Sequence, residues 1–293
     1  MRYLLLRLVS SRTLSKGLSM STLRLSVLSL LAVTLVGANS ASLSAQDVAA
    51  KGREIHAQHA SAVVSIAGNV NLDIEMMGQQ EAPVALLGTV VDASGLVLTS
   101  LASLNPIGEE PMTMEPQPGM EITITARIGD LWIDLPGGKR MQIETVLLDP
   151  LNDVALLRPK DAAEATELGK LALKATPAAE LPGILTPVVV LGRLGEEANR
   201  VATVRIDHVA AAIETPRPCV LLPGEVGSPV FDAAGRLVGV ITTLASGEEL
   251  DIMAMMNGMG AGGATVVSPW SAMQTVIDQA KAKTSEAKPA EGQ

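Results

Sequence analysis

Aromatic residues are almost missing: one Phe, one Tyr and two Trp in 293 residues. Any core must be built from Val, Leu, Ile, Ala and Met, and a hydrophobic content of 47% is enough for one large domain or two small ones. Cysteine occurs once, so no internal disulfide framework exists, and Cys219 in the apolar "RPCVLLP" reads as a buried strand residue rather than a reactive thiol. Histidine occurs three times, as His56, His59 and His208. His56 and His59 lie three apart on a predicted helix with no third ligand nearby, which reads as a solvated pair. No resident metal and no cofactor is expected.

Basic residues are few and unevenly placed. Residues 1–45 carry Arg2, Arg7, Arg12, Lys16 and Arg24 and no acid, then the apolar run "VLSLLAVTLVG", then "ANSASLSA". A charged segment, an apolar segment too short for a membrane span and small residues before Gln46 read as a secretory signal, with cleavage expected after Ala45 and an uncleaved membrane anchor as the alternative. A start at Met20 would give it ordinary length. Removing the five cations leaves 22 − 5 = 17 Lys and Arg against 31 Asp and Glu, a net charge of −14. Such a surface repels phosphate backbones, which excludes nucleic acid as a partner class. The expectation is an exported protein, periplasmic or extracellular, without a membrane span after cleavage.

What is present is short β-branched runs between Gly, Pro, Asn and Asp turns, the pattern of an all-β body. A helix is expected at 46–60, a first β-barrel at 61–160, a linker at 161–180, a second barrel at 181–268, a C-terminal helix at 269–283 and a disordered tail at 284–293. Within the first barrel, "NLDIEMMGQQEAP" reads as a loop or irregular hairpin and "NPIGEEPMTMEPQPGM" as an exposed loop. "EITITARI" and "LWIDL" read as separate strands. "KDAAEATELGK" reads as a polar connector with room for one helical turn. Leu250–Gly263 is a Met- and Gly-rich loop. Thioethers at Met253, Met255, Met256 and Met259 suit Cu(I), but adaptable apolar contact is their commoner use. One echo links the halves. "VVDASGLVLTS" and "VFDAAGRLVGVITT" each read strand, Asp-Ala-x-Gly turn, strand. Two antiparallel barrels with a cleft between them fit that duplication.

Three segments resemble the trypsin-like serine proteases, specifically the HtrA/Deg branch, over about Ser61 to Ala280. The family's histidine hairpin is matched by "GTVVDASGLVLTSLASL" through Thr99, but the histidine's place falls on Ala102. "DPLNDVALL" resembles the aspartate segment, with Asp153 in the catalytic place. "LPGEVGSPV" resembles the serine loop at Pro223, Gly224, Gly227 and Pro229, but the serine's place falls on Val226 and a family glycine is Ser228. The resemblance implies a double antiparallel β-barrel with short terminal helices. Too few residues follow the last helix for the PDZ domain that such proteins usually append.

Acyl transfer by a triad needs a hydroxyl or thiol nucleophile, a base within hydrogen-bond reach and a carboxylate to orient the base. Valine has no lone pair to attack with, and alanine accepts no proton. The backbone amides of Gly224 and Val226 could still form an oxyanion hole, which binds without turning over. Ser228 is the remaining candidate nucleophile, with Gly227 and Pro229 fixing the loop's phase against it. The resemblance with these losses implies a secreted pseudoprotease that holds a protein or peptide in the inter-barrel cleft. Two other readings stay open: an active endopeptidase using another constellation, and a structural scaffold of the cell envelope. Asp153 itself is expected to accept hydrogen bonds from the Leu101 or Ala102 amides, or the Ser100 or Ser103 hydroxyls, and so to staple two segments.

Overall fold

The computed structural model describes residues 45–108, 110–117, 119–244 and 263–286. The expected leader up to residue 44, the four methionines of the Met-rich loop and the tail from 287 lie outside the described residues.

The chain opens with helix α1 (Ala45–His59), followed by a single 3-10 turn. Strands β1 (Val63–Ile74), β2 (Gly78–Val90) and β3 (Val97–Thr99) come next, then the one-turn helix α2 (Leu101–Leu104). β4 (Met112–Gln117), β5 (Met120–Asp134), β6 (Arg140–Asp149) and β7 (Val154–Pro159) complete the first sheet. Its order is β1-β2-β3-β7-β6-β5-β4, and a further β1–β5 pairing closes six of these strands into a barrel. Helix α3 (Ala162–Gly169) leads to the second half, its first amides capped by the Asp161 carboxylate.

The second sheet runs β10-β11-β14-β13-β12-β8-β9. Its strands are β8 (Pro187–Arg193), β9 (Ala202–His208), β10 (Ala211–Ile213), β11 (Cys219–Leu221), β12 (Pro229–Asp232), β13 (Leu237–Leu244) and β14 (Ala264–Pro269). This ladder is open, a half-barrel whose two end strands are joined through Val209 and Ala210. Helix α4 (Trp270–Glu286) ends the described chain, running three residues past its expected end. No helix among the described residues is long and apolar enough to cross a membrane.

Aliphatic packing produces three cores. One fills the first barrel around Ile66, Leu72, Leu131 and Ile133, and another fills the second around Val190, Val230 and Ile241. The third lies between the barrels. It joins Leu98, Leu147 and Leu156 of the first to Val189, Leu191 and Phe231 of the second, sealed by Ile55 of α1 and Met273 and Ile277 of α4. Burial of each such side chain stabilises by about 1.5–3 kcal/mol, so this shared core holds the two halves at a fixed angle.

The echoed hairpins have one geometry. Asp92 accepts from Ser94 N–H at 2.7 Å, and Asp232 accepts from Ala234 N–H at 2.9 Å. Gly95 and Gly235 close both turns at φ +80 and +85, a region open to glycine.

Three expectations on secondary structure fail, and one on solvent exposure. The stretch from Asn71 to Pro83 is a regular hairpin, because Leu72 and Ile74 alternate inward with polar residues outward. Residues 120–134 form one strand rather than two. The Pro- and Glu-rich segment after Asn105 contributes β4, paired with β5. His56 and His59 are not a solvated pair. His59 is only 8% exposed and stacks on Phe231 with ring centroids 5.4 Å apart, because the last turn of α1 packs against the second barrel. Burial lowers its pKa below the usual imidazole value.

Candidate functional site

Asp153 lies in the turn between β6 and β7. The Asp149 carboxylate shapes that turn by accepting from Leu151 and Asn152 N–H at 3.0 and 3.2 Å. Asp153 adopts φ +55, which Asp tolerates better than most residues and which persists only where the surroundings fix it. The fixing groups come from three elements. Ser100 Oγ donates to Asp153 Oδ2 at 2.7 Å, and Ala102 N–H donates to Oδ1 at 2.6 Å. Thr243 N–H, from β13 of the second sheet, donates to Oδ2 at 2.6 Å. Leu101 N–H reaches the Asp153 carbonyl at 3.4 Å. The carboxylate therefore staples α2 and also ties the first barrel to the second. The Ser100 and Ala102 donors are among those read from sequence. Thr243, 90 residues away, was not legible there.

Hydroxyls close the space around this carboxylate. Thr243 Oγ1 lies 3.2 Å from Ser100 Oγ and 3.0 Å from Ser103 Oγ. Arg217, half-buried before β11, donates to the Ser268 hydroxyl, to Thr242 Oγ1 at 3.4 Å and to the Thr243 carbonyl at 3.4 Å. Burial nevertheless dominates. It raises the Asp153 pKa above the usual carboxylate value, against the pull of its three donors and the Arg217 charge.

The loop carrying Val226 is pinned as tightly as the carboxylate. Gly227 takes φ +84, and a Cβ built there would stand 1.8 Å from the Leu87 carbonyl oxygen of β2. Gly227 N–H donates to the Ile241 carbonyl at 2.8 Å, and Thr89 Oγ1 donates to the Gly227 carbonyl at 2.6 Å. Val226 rests partly against the core of the second sheet. The Gly224 and Val226 amides have no acceptor among the described residues, so both stay free to donate. Ser228 is completely buried, and its hydroxyl has no partner among the described residues. None of the three histidines bonds to Asp153 or Ser228. His56 reaches the Ala202 carbonyl at 3.4 Å and His59 stacks on Phe231.

Beside Val226 a cleft of about 720 Å³ runs between the two sheets. Small residues floor it, Ser65, Ala67 and Ala85, while Arg140, Arg193 and Arg200 stand around it. Asp134 pairs with Arg140 at 3.2 Å and with Arg200 at 3.0 Å, and Glu196 also pairs with Arg200 at 3.3 Å. Arg193 is buried and, among the described residues, bound by carbonyls, those of Val63, Arg200 and Ala60 at 2.8, 2.7 and 3.0 Å.

The profile of the trypsin-like peptidase domain matches residues 86–240. The chain belongs to that family. Solved structures similar to it include the serine endoprotease from Yersinia pestis, at 15% identity and TM-score 0.49, covering 78% of this chain and 66% of that one. The HtrA-type protease AlgW with a decapeptide is similar at 16% identity and TM-score 0.48, covering 78% of this chain and 68% of that one. The chain thus spans about two thirds of the length of these proteases. No curated protein matches the sequence.

Proposed function

We propose that this trypsin-like chain is an exported pseudoprotease, which binds a protein or peptide in the inter-barrel cleft and does not cut it. One observation carries the reading: the triad-type carboxylate is saturated by structural donors, Ser100, Ala102 and Thr243, with no base in reach. Loss of a triad's members as a unit removes on the order of 10⁶ in rate. The free Gly224 and Val226 amides and the open cleft beside them keep the capacity to hold a chain. Ser228 does not replace the lost nucleophile, since its hydroxyl is walled off from the cleft. Export rests on the leader-like residues 1–45. Casein incubated with the purified protein should stay as intact as with a heat-killed control. Cleavage that disappears in Ser228→Ala would overturn the proposal in favour of an active endopeptidase.

A further inference from the structure

The second sheet ends in an edge whose hydrogen-bonding phase can be counted. Leu194 N–H donates to the Val201 carbonyl at 2.9 Å and Val209 N–H to the Thr186 carbonyl at 3.2 Å, with a continuous β8–β9 register between them. Bonded and non-bonded pairs alternate along an antiparallel ladder. Counting from either end, Thr203, Arg205 and Asp207 bond to β8. Pro187, which has no N–H, falls opposite His208 at a non-bonded position. Ala202, Val204, Ile206 and His208 therefore turn their main-chain groups away from β8, and β9 is the last strand of the ladder.

Two of those four positions are partly occupied. His56 Nε2 lies 3.4 Å from the Ala202 carbonyl, and His208 N–H donates to its neighbour Asp207 at 2.8 Å. The main-chain groups of Val204 and Ile206 have no partner on the free side among the described residues. Their side chains are 38% and 42% exposed. The first sheet treats its free edge differently. Glu75 N–H donates to Thr123 on β5, so Ile74 turns to β2, and the same counting puts Pro83 at an outward position of β2. β4, the other end of that sheet, carries Pro116. Proline at an edge removes a donor and blocks strand addition. β9, "ATVRIDH", has none.

We propose that β9 pairs antiparallel with β9 of a second copy of this chain, about a two-fold axis at Ile206. The charges select that axis. Ile206 then exchanges both bonds with the partner's Ile206, and Val204 bonds the partner's His208. Arg205 faces the partner's Asp207 at a non-bonded position, where Cα atoms approach to about 4.5 Å. Arg205, which also donates to the Pro223 carbonyl, pairs with Asp207 within the strand at 3.3 Å, so two copies form an alternating cluster of four charges. An axis moved to Val204 would set Arg205 against the partner's Thr203 and lose that match. Closed two-fold pairing also leaves no free edge to propagate.

Sedimentation equilibrium of the full chain tests this. The expected mass is twice that of one chain, dissociating on dilution. Ile206→Pro removes an N–H that β8 does not use, so it should give folded monomers whose melting temperature no longer rises with protein concentration, as the parent's does. Arg205→Asp should weaken the dimer at least tenfold, and adding Asp207→Arg should restore it, since the reversed pair matches across the axis again. A chain that stays monomeric up to about 100 μM overturns the proposal. So does a dimer that survives Ile206→Pro, or a double charge reversal that fails to recover the loss of the single one in a folded protein.

Discussion

The Asp153 corner and the Val226 loop, whose sequences resemble a protease's carboxylate and nucleophile segments, differ in what their neighbours require of them. Asp153 is held through its charge. Two side-chain oxygens accept three donors from α2, its flanking serine and β13. The Val226 loop is held through its backbone, by Gly227 against Leu87 and by the Thr89 hydroxyl. A group that other elements use as an acceptor cannot be replaced without orphaning them. The side chain at 226 answers to no such partner, so it can change while the loop stays in place. The difference teaches that architecture and chemistry separate residue by residue.

The comparison breaks most severely at Gly227. Gly227→Ala places a Cβ on the Leu87 carbonyl, in a φ region that alanine avoids, so loop and barrel must part. The expected loss is about 3 kcal/mol or more, measured by urea unfolding. Val226→Ala, one residue earlier, should cost only about 1 kcal/mol because the side chain is partly exposed.

Asp153→Ala comes next. It leaves the Ala102 and Thr243 amides unpaired, while the Ser100 hydroxyl can turn to Thr243 Oγ1, and each orphaned buried donor costs about 1–3 kcal/mol. Asp153→Asn should cost less than Asp153→Ala. It turns an amide donor toward at least one of those N–H groups, yet it removes the buried charge whose desolvation raises the pKa. Both are read as shifts in denaturation midpoint, and an Asn variant as stable as the parent would show the carboxylate to be dispensable.

The pH dependence sharpens the same point. A carboxyl whose folded pKa is raised binds its proton more tightly in the native state. Its contribution to stability is therefore full below the unfolded pKa and falls as pH rises through the folded value. The difference in unfolding free energy between parent and Asp153→Asn should move in the parent's disfavour as pH rises from about 4. A flat difference would contradict the assigned burial cost. The smallest effect is at Ser228, whose buried hydroxyl lacks a partner. Ser228→Ala should be neutral or stabilise by about 1 kcal/mol.

Local rules made much of this fold legible. The two Asp-Ala-x-Gly hairpins, the apolar strands around Cys219 and the Ser100 and Ala102 contacts of Asp153 follow from residues close in sequence. The remainder depended on tertiary partners. Asn71 and Asp73 look like loop residues until β2 and β5 flank them as strand positions. His59 looks solvated until Phe231 covers it. Thr243 and Arg217 reach Asp153 only because the second sheet packs on the first, and no spacing in the chain signals that approach. At Val226 sequence told more than geometry, because valine's inability to attack a carbonyl is independent of its surroundings.

The central claim is that this loop persists as structure without a nucleophile, and a serine-directed fluorophosphonate probe tests it most directly. The purified protein should show no label above a heat-denatured control, and Ser228→Ala should look the same. Stoichiometric labelling of the native protein, lost in Ser228→Ala, would contradict the account.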